Sequence, residues 1–256
     1  MVNQVTLVKI GGGLIAPKEW PEETVDKDLV TRLVGEIKKS GVKAVIAVGQ
    51  GNFAHNAVKK YGISTQKSVD KVRKSAIKPG KIICEEFIRQ GCLAELIEPN
   101  KIYIANDAVL ENDGSDVIIK VLESGKIPVV YGDVIDDKKR GWIIFSGEKN
   151  LEIILGKLQK NKWKVKKVVQ VSRELGVLDK DGKVVPEINE NNWNEIKKDV
   201  TGAAGADVTG GMLHKVEESM EMFRKYGVES WIVSGKVRGR LAKILIGEQV
   251  EGTRID

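Results

Sequence analysis

The chain has 256 residues, of which 41% are hydrophobic and 30% charged, and it carries a formal net charge of +6. This balance is typical of a globular protein, and the length fits one large α/β domain or two small ones. Two cysteines and two histidines exclude a disulfide framework and a Cys-rich or His-rich metal site. No apolar run approaches the ~20 residues of a membrane span, and the first residues lack a secretion signal, so we expect a cytoplasmic protein without a membrane partner.

Short β-branched runs alternate with longer amphipathic patterns along the chain. Strands are predicted at 5–10, 42–48, 102–104, 127–131, 167–171 and 229–233. Helices are predicted at 22–39, from about 55, and at 66–90, 116–124, 149–159, 211–225 and 238–245. A hairpin is predicted at 132–142, with its turn near 137–140, and a further turn at 178–183.

This alternation favours an α/β fold, a three-layer αβα sandwich whose open, mostly parallel central sheet has helices on both faces. The nearly continuous apolar run at 42–48 is typical of a buried parallel strand. The sequence contains no internal repeat, low-complexity segment or Pro/Ser-rich linker. We therefore predict a single domain over 1–256, with one lobe at about 1–160 and a second at about 161–256.

Glycine clusters stand where strands should end or a helix should begin. They are Gly11 to Gly13 after Lys9, Gly49 to Gly51 before His55, and Thr209 to Gly211 before Lys215. Glycines let backbone N–H groups approach a phosphate, and a helix N-terminus adds positive potential. The first cluster matches neither the Walker A nor the Gly-x-Gly-x-x-Gly pattern. Because ligands of open α/β sheets bind at the carboxyl ends of strands, the clusters together predict an enzyme with two phosphate-bearing substrates.

The positive net charge also fits a nucleic-acid binder. The densest basic cluster, 160–167, contains a single aromatic residue. An aromatic fraction of 5% offers few stacking platforms, and no nucleic-acid motif is present. We interpret the cluster as a solvated helix end and expect no nucleic-acid partner.

Taken together, the motifs resemble those of the amino acid kinase superfamily, and within it the isopentenyl phosphate kinases, over nearly the whole chain. The matching segments are Val8-Lys9-Ile10-Gly11-Gly12 with Lys18, Gly49-x-Gly-x-Phe-x-His55, Gly132-Asp133-Val134, Ser146-Gly147-Glu148, Asp207-Val208-Thr209-Gly210-Gly211-Met212 with Lys215, and Gly247 to Thr253. The histidine after the second glycine loop is the most diagnostic feature, because kinases that phosphorylate a phosphate or phosphonate have it. Fosfomycin kinases share His55, Lys9 and Lys18 and are the closest alternative.

The resemblance implies an ATP-dependent kinase that transfers the γ-phosphoryl group to an alkyl phosphate. The expected acceptor is isopentenyl phosphate, which would become isopentenyl diphosphate in isoprenoid biosynthesis. Mg²⁺ is expected to arrive with ATP rather than in a dedicated protein site, and a homodimer is expected. The alternatives are a phosphonate kinase and a non-catalytic nucleotide-binding member of the same fold.

The resemblance also assigns roles. Lys9 is expected to contact the transferring phosphoryl group, Lys18 the β- and γ-phosphates, and His55 the acceptor phosphate. The ATP site is expected to comprise Lys9, Gly11, Gly12, Gly13, Ser172, Arg173, Thr209, Gly210, Gly211 and Lys215. The acceptor site is expected to comprise Gly49, Gln50, Gly51, His55 and Gly147, with helix 66–90 and residues 102–109 lining an apolar pocket beyond His55.

Three positions depart from the family pattern. Glu148 stands where an aspartate usually organises the active-site lysines, and its extra methylene is expected to displace them by about 1 Å. Arg173 replaces an aspartate and is expected to pair with a nucleotide phosphate or to change nucleotide selectivity. Gln50 replaces a glycine, and its side chain is expected to crowd the loop.

Overall fold

The structure, a computed structural model, describes residues 3–202 and 211–256. Its strands are β1 Gln4–Ile10, β2 Ala44–Val48, β3 Ala94–Leu96, β4 Tyr103–Asn106, β5 Val109–Asp113, β6 Ile127–Tyr131, β7 Asp133–Asp137, β8 Gly141–Phe145, β9 Lys164–Ser172, β10 Glu187–Ile188, β11 Ser230–Ser234 and β12 Thr253–Ile255. Its helices are α1 Gly12–Ile15, α2 Lys27–Ser40, α3 Ala54–Tyr61, α4 Gln66–Arg89, α5 Pro99–Ile102, α6 Asp116–Glu123, α7 Gly147–Lys160, α8 Trp193–Gly202, α9 Gly211–Tyr226 and α10 Arg240–Ile246.

The central sheet has eight strands in the order β10-β12-β11-β9-β1-β2-β6-β3. Its neighbours are parallel except for the antiparallel pair β11 and β12, which confirms the predicted mostly parallel sheet. A second sheet has the order β5-β4-β7-β8. It contains the predicted hairpin, because β7 and β8 pair antiparallel from Asp133↔Phe145 to Asp137↔Gly141.

The side chains of β1 alternate between the two helical layers. Val8 and Ile10 pack in a core with residues of α2, α4 and α10. Val5 and Leu7 pack in the opposite core with residues of α6, α7 and α9. Since successive strand residues point to opposite faces, Lys9 lies on the same face as Leu7, beneath α7 and α9. The layered fold therefore places the Lys9 side chain against the helices that cover this face of the sheet.

The start of α2 differs from the prediction. The amphipathic pattern predicts a helix from residue 22, but α2 begins at Lys27 because Asp26 is its N-cap, with a side-chain oxygen that accepts a hydrogen bond from the Leu29 N–H at 2.9 Å. The helix ends at Gly41, whose φ of 66° is the left-handed conformation common after helices. The predicted strand at 102–104 is also shifted, since residue 102 ends α5 and β4 runs over Tyr103–Asn106.

Candidate active site

The centre of the site is an ion pair between Lys9 and Glu148. Lys9, near the end of β1, is 6% exposed, and its Nζ contacts Oε1 of Glu148 in the first turn of α7. Ser146 caps that helix by accepting a hydrogen bond from the Lys149 N–H at 3.0 Å. The glutamate side chain thus spans the distance to the lysine, and its extra methylene does not separate the two charges.

The electrostatic surroundings of Lys9 come mainly from α9. Burial, followed by the positive charge of Lys215, lowers the pKa of Lys9 to about 7, and Glu218 opposes this shift. Burial also raises the pKa of the Glu218 carboxyl to about 7, while Lys9 acts in the opposite direction. The structure therefore brings Lys9, Glu148 and Lys215 together as predicted and adds Glu218, which the sequence did not single out.

The first two glycine clusters pack directly against each other. A Cβ placed on Gly12 would lie 2.7 Å from backbone atoms of Gly49 and Gln50, and closer still to the nitrogen of Gly51. Gly51 itself has a φ of 50°. Gly13, in contrast, is exposed, and no heavy atom of the described chain would lie within 4 Å of its Cβ. The two loops can therefore approach each other only because Gly12, Gly49 and Gly51 have no side chains. Gly13 faces open space.

His55 and Gln50 anchor the second loop in different ways. His55, exposed in α3, has its Nδ1 2.9 Å from the carbonyl oxygen of Gly51. The amide of Gln50 donates to the carbonyl of Gly132 and lies 3.4 Å from that of Ala76. The Gln50 side chain is directed toward the end of β6 and its φ is not positive, and the expected crowding of the loop stays a prediction.

Gly147 connects this acceptor side to Lys9. A Cβ on Gly132 would lie 2.9 Å from the nitrogen of Gly147, and one on Gly147 would lie 3.9 Å from Cε of Lys9. The N-terminus of α7 therefore sits between the end of β6 and the Lys9 side chain. The loop that precedes His55 also reaches this N-terminus, because Gln50 donates to Gly132, which packs against Gly147.

The other predicted nucleotide residues are spread over several elements, and two of them lie outside the described residues. Ser172 is buried at the end of β9, and its carbonyl accepts from the Gly235 N–H at 2.8 Å. Arg173 is exposed, pairs with Glu19, and lines a cavity of about 470 Å³ together with Lys236 and Arg238. Lys18 is exposed in the loop after α1. Gly211 begins α9, whereas Thr209 and Gly210 lie outside the described residues.

The predicted tail-lining segments contribute to different apolar clusters. Helix α4 contributes Val69 and Val72 to a cluster with Ala57 of α3 and Val134 of β7. Residues 103 and 105 belong to a separate cluster with residues of β7 and β8. Only α4 thus packs against the helix that carries His55, and the apolar pocket itself stays a prediction.

Asp133, at the start of β7, is a buried carboxyl to which the sequence assigned no role. It is 4% exposed, and its Oδ1 accepts from the Val134 N–H at 2.9 Å. Burial raises the pKa of Asp133 to about 7. Its position in the chain, directly after Gly132, was the one signal that could have drawn attention to it.

Within 3–202 and 211–256, no three His, Cys, Asp or Glu side chains cluster so as to hold a metal ion. Of the helices in those ranges, none combines the length and apolar character that a membrane crossing requires.

Comparison with known proteins places the chain in a family. The model of the Amino acid kinase family matches residues 4–234, and the chain belongs to this family. The isopentenyl phosphate kinase of Methanothermobacter thermautotrophicus is 26% identical over 266 aligned positions, which cover 97% of this chain and 98% of that protein. The isopentenyl phosphate kinase of Methanocaldococcus jannaschii is 27% identical, with 98% of each chain covered.

Solved structures support the fold. A crystal structure of an isopentenyl phosphate kinase substrate complex superposes with a TM-score of 0.77 at 18% identity, covering 98% of this chain and 100% of that one. A further isopentenyl phosphate kinase structure gives a TM-score of 0.76 at 23% identity, with 99% and 100% covered. The predicted amino acid kinase fold is confirmed.

Proposed function

We propose that this protein transfers the γ-phosphoryl group of ATP to isopentenyl phosphate, forming isopentenyl diphosphate and ADP in isoprenoid biosynthesis. The observation that carries the proposal is the arrangement of the paired Lys9 and Glu148 beside the glycine loop that leads to His55. The two relatives from Methanothermobacter thermautotrophicus and Methanocaldococcus jannaschii, both isopentenyl phosphate kinases that align over nearly the full chain, support it.

The chemistry follows from the charges of the two substrates. Donor and acceptor are both anions, so catalysis consists mainly of positioning and of neutralising charge along the line of transfer. An oxygen of the acceptor phosphate attacks the γ-phosphorus while the bond to the β,γ-bridging oxygen breaks, and ADP leaves. Lys9 stabilises the transferring group, and Glu148 keeps the Lys9 ammonium oriented. No covalent intermediate with the enzyme is required.

The remaining nucleotide contacts are proposed from the family pattern. Lys18 and Lys215 hold the ATP phosphates from two sides. The other residues of the proposed ATP site are Gly11, Gly12, Gly13, Ser172, Arg173, Thr209, Gly210 and Gly211. Because Gly12 is packed against the second loop, Gly13 is the glycine of the first cluster with open space for a phosphate.

The role of His55 follows from its ring geometry. The contact of Nδ1 with the Gly51 carbonyl holds the ring against the second loop. His55 then binds the acceptor phosphate, assisted by the backbone of Gly49, Gln50 and Gly147.

Mg²⁺ is proposed to enter with ATP. There it would supply positive charge to the phosphates, whose oxygens are ligands that it prefers beside water. Glu148 is not expected to bind the ion, because its carboxylate already forms an ion pair with Lys9. We further propose a cytoplasmic homodimer in which a lobe at about 1–160 binds the acceptor and one at about 161–256 binds the nucleotide.

An ADP-release assay with a panel of acceptors tests the proposal. Isopentenyl phosphate, fosfomycin and N-acetylglutamate are compared for the wild type, His55→Ala and the control Lys59→Ala, which alters an exposed cation on the same helix. Turnover with isopentenyl phosphate that is lost in His55→Ala and kept in Lys59→Ala is expected. Preference for fosfomycin would identify a phosphonate kinase, and tight ATP binding without turnover would identify a non-catalytic member.

A further inference from the structure

Glu218 lies on α9 at a distance of three residues from Lys215, so both side chains project from the same side of the helix. Its side chain is 21% exposed, and Oε1 lies 3.0 Å from Nε2 of His214. The second oxygen, Oε2, is fully buried and has no hydrogen-bond partner within the described part of the chain. A buried carboxylate oxygen without a donor is costly unless a nearby positive charge compensates it.

Gln170 fixes the position of Glu218 relative to Lys9. In the sheet, Lys9 of β1 is the register partner of Gln170 of β9, so both side chains lie on the same face. Gln170 is 3% exposed. Its Nε2 donates to Oγ of Ser219 at 2.7 Å and lies 3.5 Å from the carbonyl oxygen of Lys215. The helix that carries Lys215 and Glu218 is therefore tied to the strand beside Lys9.

Two helices thus present carboxylates to the same lysine. Glu148 reaches Lys9 from α7 through the ion pair, and Glu218 favours the protonated form of Lys9 from α9. When Lys9 and Glu218 are both ionised, the cluster with Lys215 and Glu148 contains two positive and two negative groups, which balances the charge before any anion binds.

We propose that Glu218 is a positioning residue for phosphoryl transfer, whose carboxylate, on the helix tied to the strand beside Lys9, balances the charge of the Lys9 ammonium until ATP takes over this role. The proposal rests on the proposed kinase function for its kinetic consequence, but its electrostatic part concerns the ligand-free protein and nucleotide binding alone.

Glu218→Gln separates this role from ordinary packing, because the amide keeps the shape and removes the charge. The variant lowers the pKa of Lys9 further, since the negative charge that raises it is gone. Because the substitution removes a negative charge, it does not repel ATP, and KM for ATP stays the same or falls. The value of kcat decreases, because Lys9 loses a group that positions it. The other charged groups around Glu218 remain in place: Lys9 on β1, Glu148, Lys149 and Glu152 on α7, and His214, Lys215 and Glu221 on α9.

The experiment compares wild type, Glu218→Gln and the control Glu221→Gln, which removes the same charge from an exposed position of the same helix. Calorimetry in buffers of different ionisation enthalpy measures proton uptake when Mg·ATP binds, as a function of pH. In Glu218→Gln, the midpoint of proton uptake is expected to move to lower pH by about 1 pH unit. Steady-state kinetics is expected to give about a tenfold loss of kcat without a rise in KM for ATP.

The outcomes are distinct. A proton-uptake midpoint and kcat at wild-type values in Glu218→Gln, or equal shifts in Glu221→Gln, overturns the proposal. A loss of kcat together with a matching rise in KM for ATP and no change in proton uptake also overturns it, because it indicates a structural role. If no acceptor is phosphorylated even by the wild type, the proposed function fails, yet proton uptake still decides the role of Glu218.

Discussion

The contact between the two glycine loops makes Gly12→Ala a demanding test. The added methyl group would lie 2.7 Å from backbone atoms of Gly49 and Gln50. Restoring an ordinary contact of about 3.5 Å requires the loops to separate by about 1 Å. No flexible side chain can yield, since the obstructing atoms are all backbone. We expect a loss of about 1–3 kcal/mol in the free energy of unfolding.

The same displacement should affect catalysis, because the two loops begin at Lys9 and end at His55. A shift of about 1 Å in reacting groups costs about 100-fold in rate. Urea denaturation measures the stability, and ADP release measures kcat. Gly13→Ala is the matched control for stability, because its methyl group meets no atom of the described chain, and it should leave stability unchanged or raise it by about 0.5–1 kcal/mol. Equal stability and equal kcat of Gly12→Ala and wild type would refute the loop contact.

Three further results are expected. His55→Ala should raise KM for the acceptor and lower kcat while leaving the Kd for ATP nearly unchanged by calorimetry; equal effects on both substrates would count against its role. The pKa of Lys9 is about 7 in the free protein, and bound phosphates raise it. The affinity for ATP should therefore not depend on this group below pH 7, and above pH 7 it should fall by up to about tenfold per pH unit. An affinity that rises with pH would contradict this. Arg173→Ala removes an exposed pair with Glu19, so the melting temperature should hardly change, and a raised KM for ATP would place Arg173 at the nucleotide; an unchanged KM would remove it from the site.

The main elements were predictable because their signals are local. Apolar runs identify β1, β2 and β6, and glycines directly after the first two of these strands identify the loops that meet at Gly12 and Gly51. The antiparallel hairpin of β7 and β8 also follows from its turn residues. These features depend on the periods of strand and helix and on turn chemistry, which neighbouring residues alone determine.

Other parts depend on contacts between distant segments. Strands β3, β10 and β12 have three, two and three residues, too few for a period, and they form because a neighbouring strand offers hydrogen-bond partners. In the sequence, Glu218 is one of several charged residues of an amphipathic helix, and nothing local distinguishes it. Its significance arises from the layer in which α9 covers Lys9, and from Gln170, which fixes α9 to the sheet.

The central claim is phosphoryl transfer between two phosphates, and ³¹P NMR observes it directly. Isopentenyl phosphate, ATP and Mg²⁺ are incubated with the wild type and, in parallel, with Lys9→Met. We expect the phosphate monoester resonance to be replaced by the coupled pair of a diphosphate, with ADP formed in equal amount, and no such change with Lys9→Met. Persistence of the monoester resonance with the wild type, or ADP accompanied by free inorganic phosphate instead of a diphosphate, would contradict the proposed function.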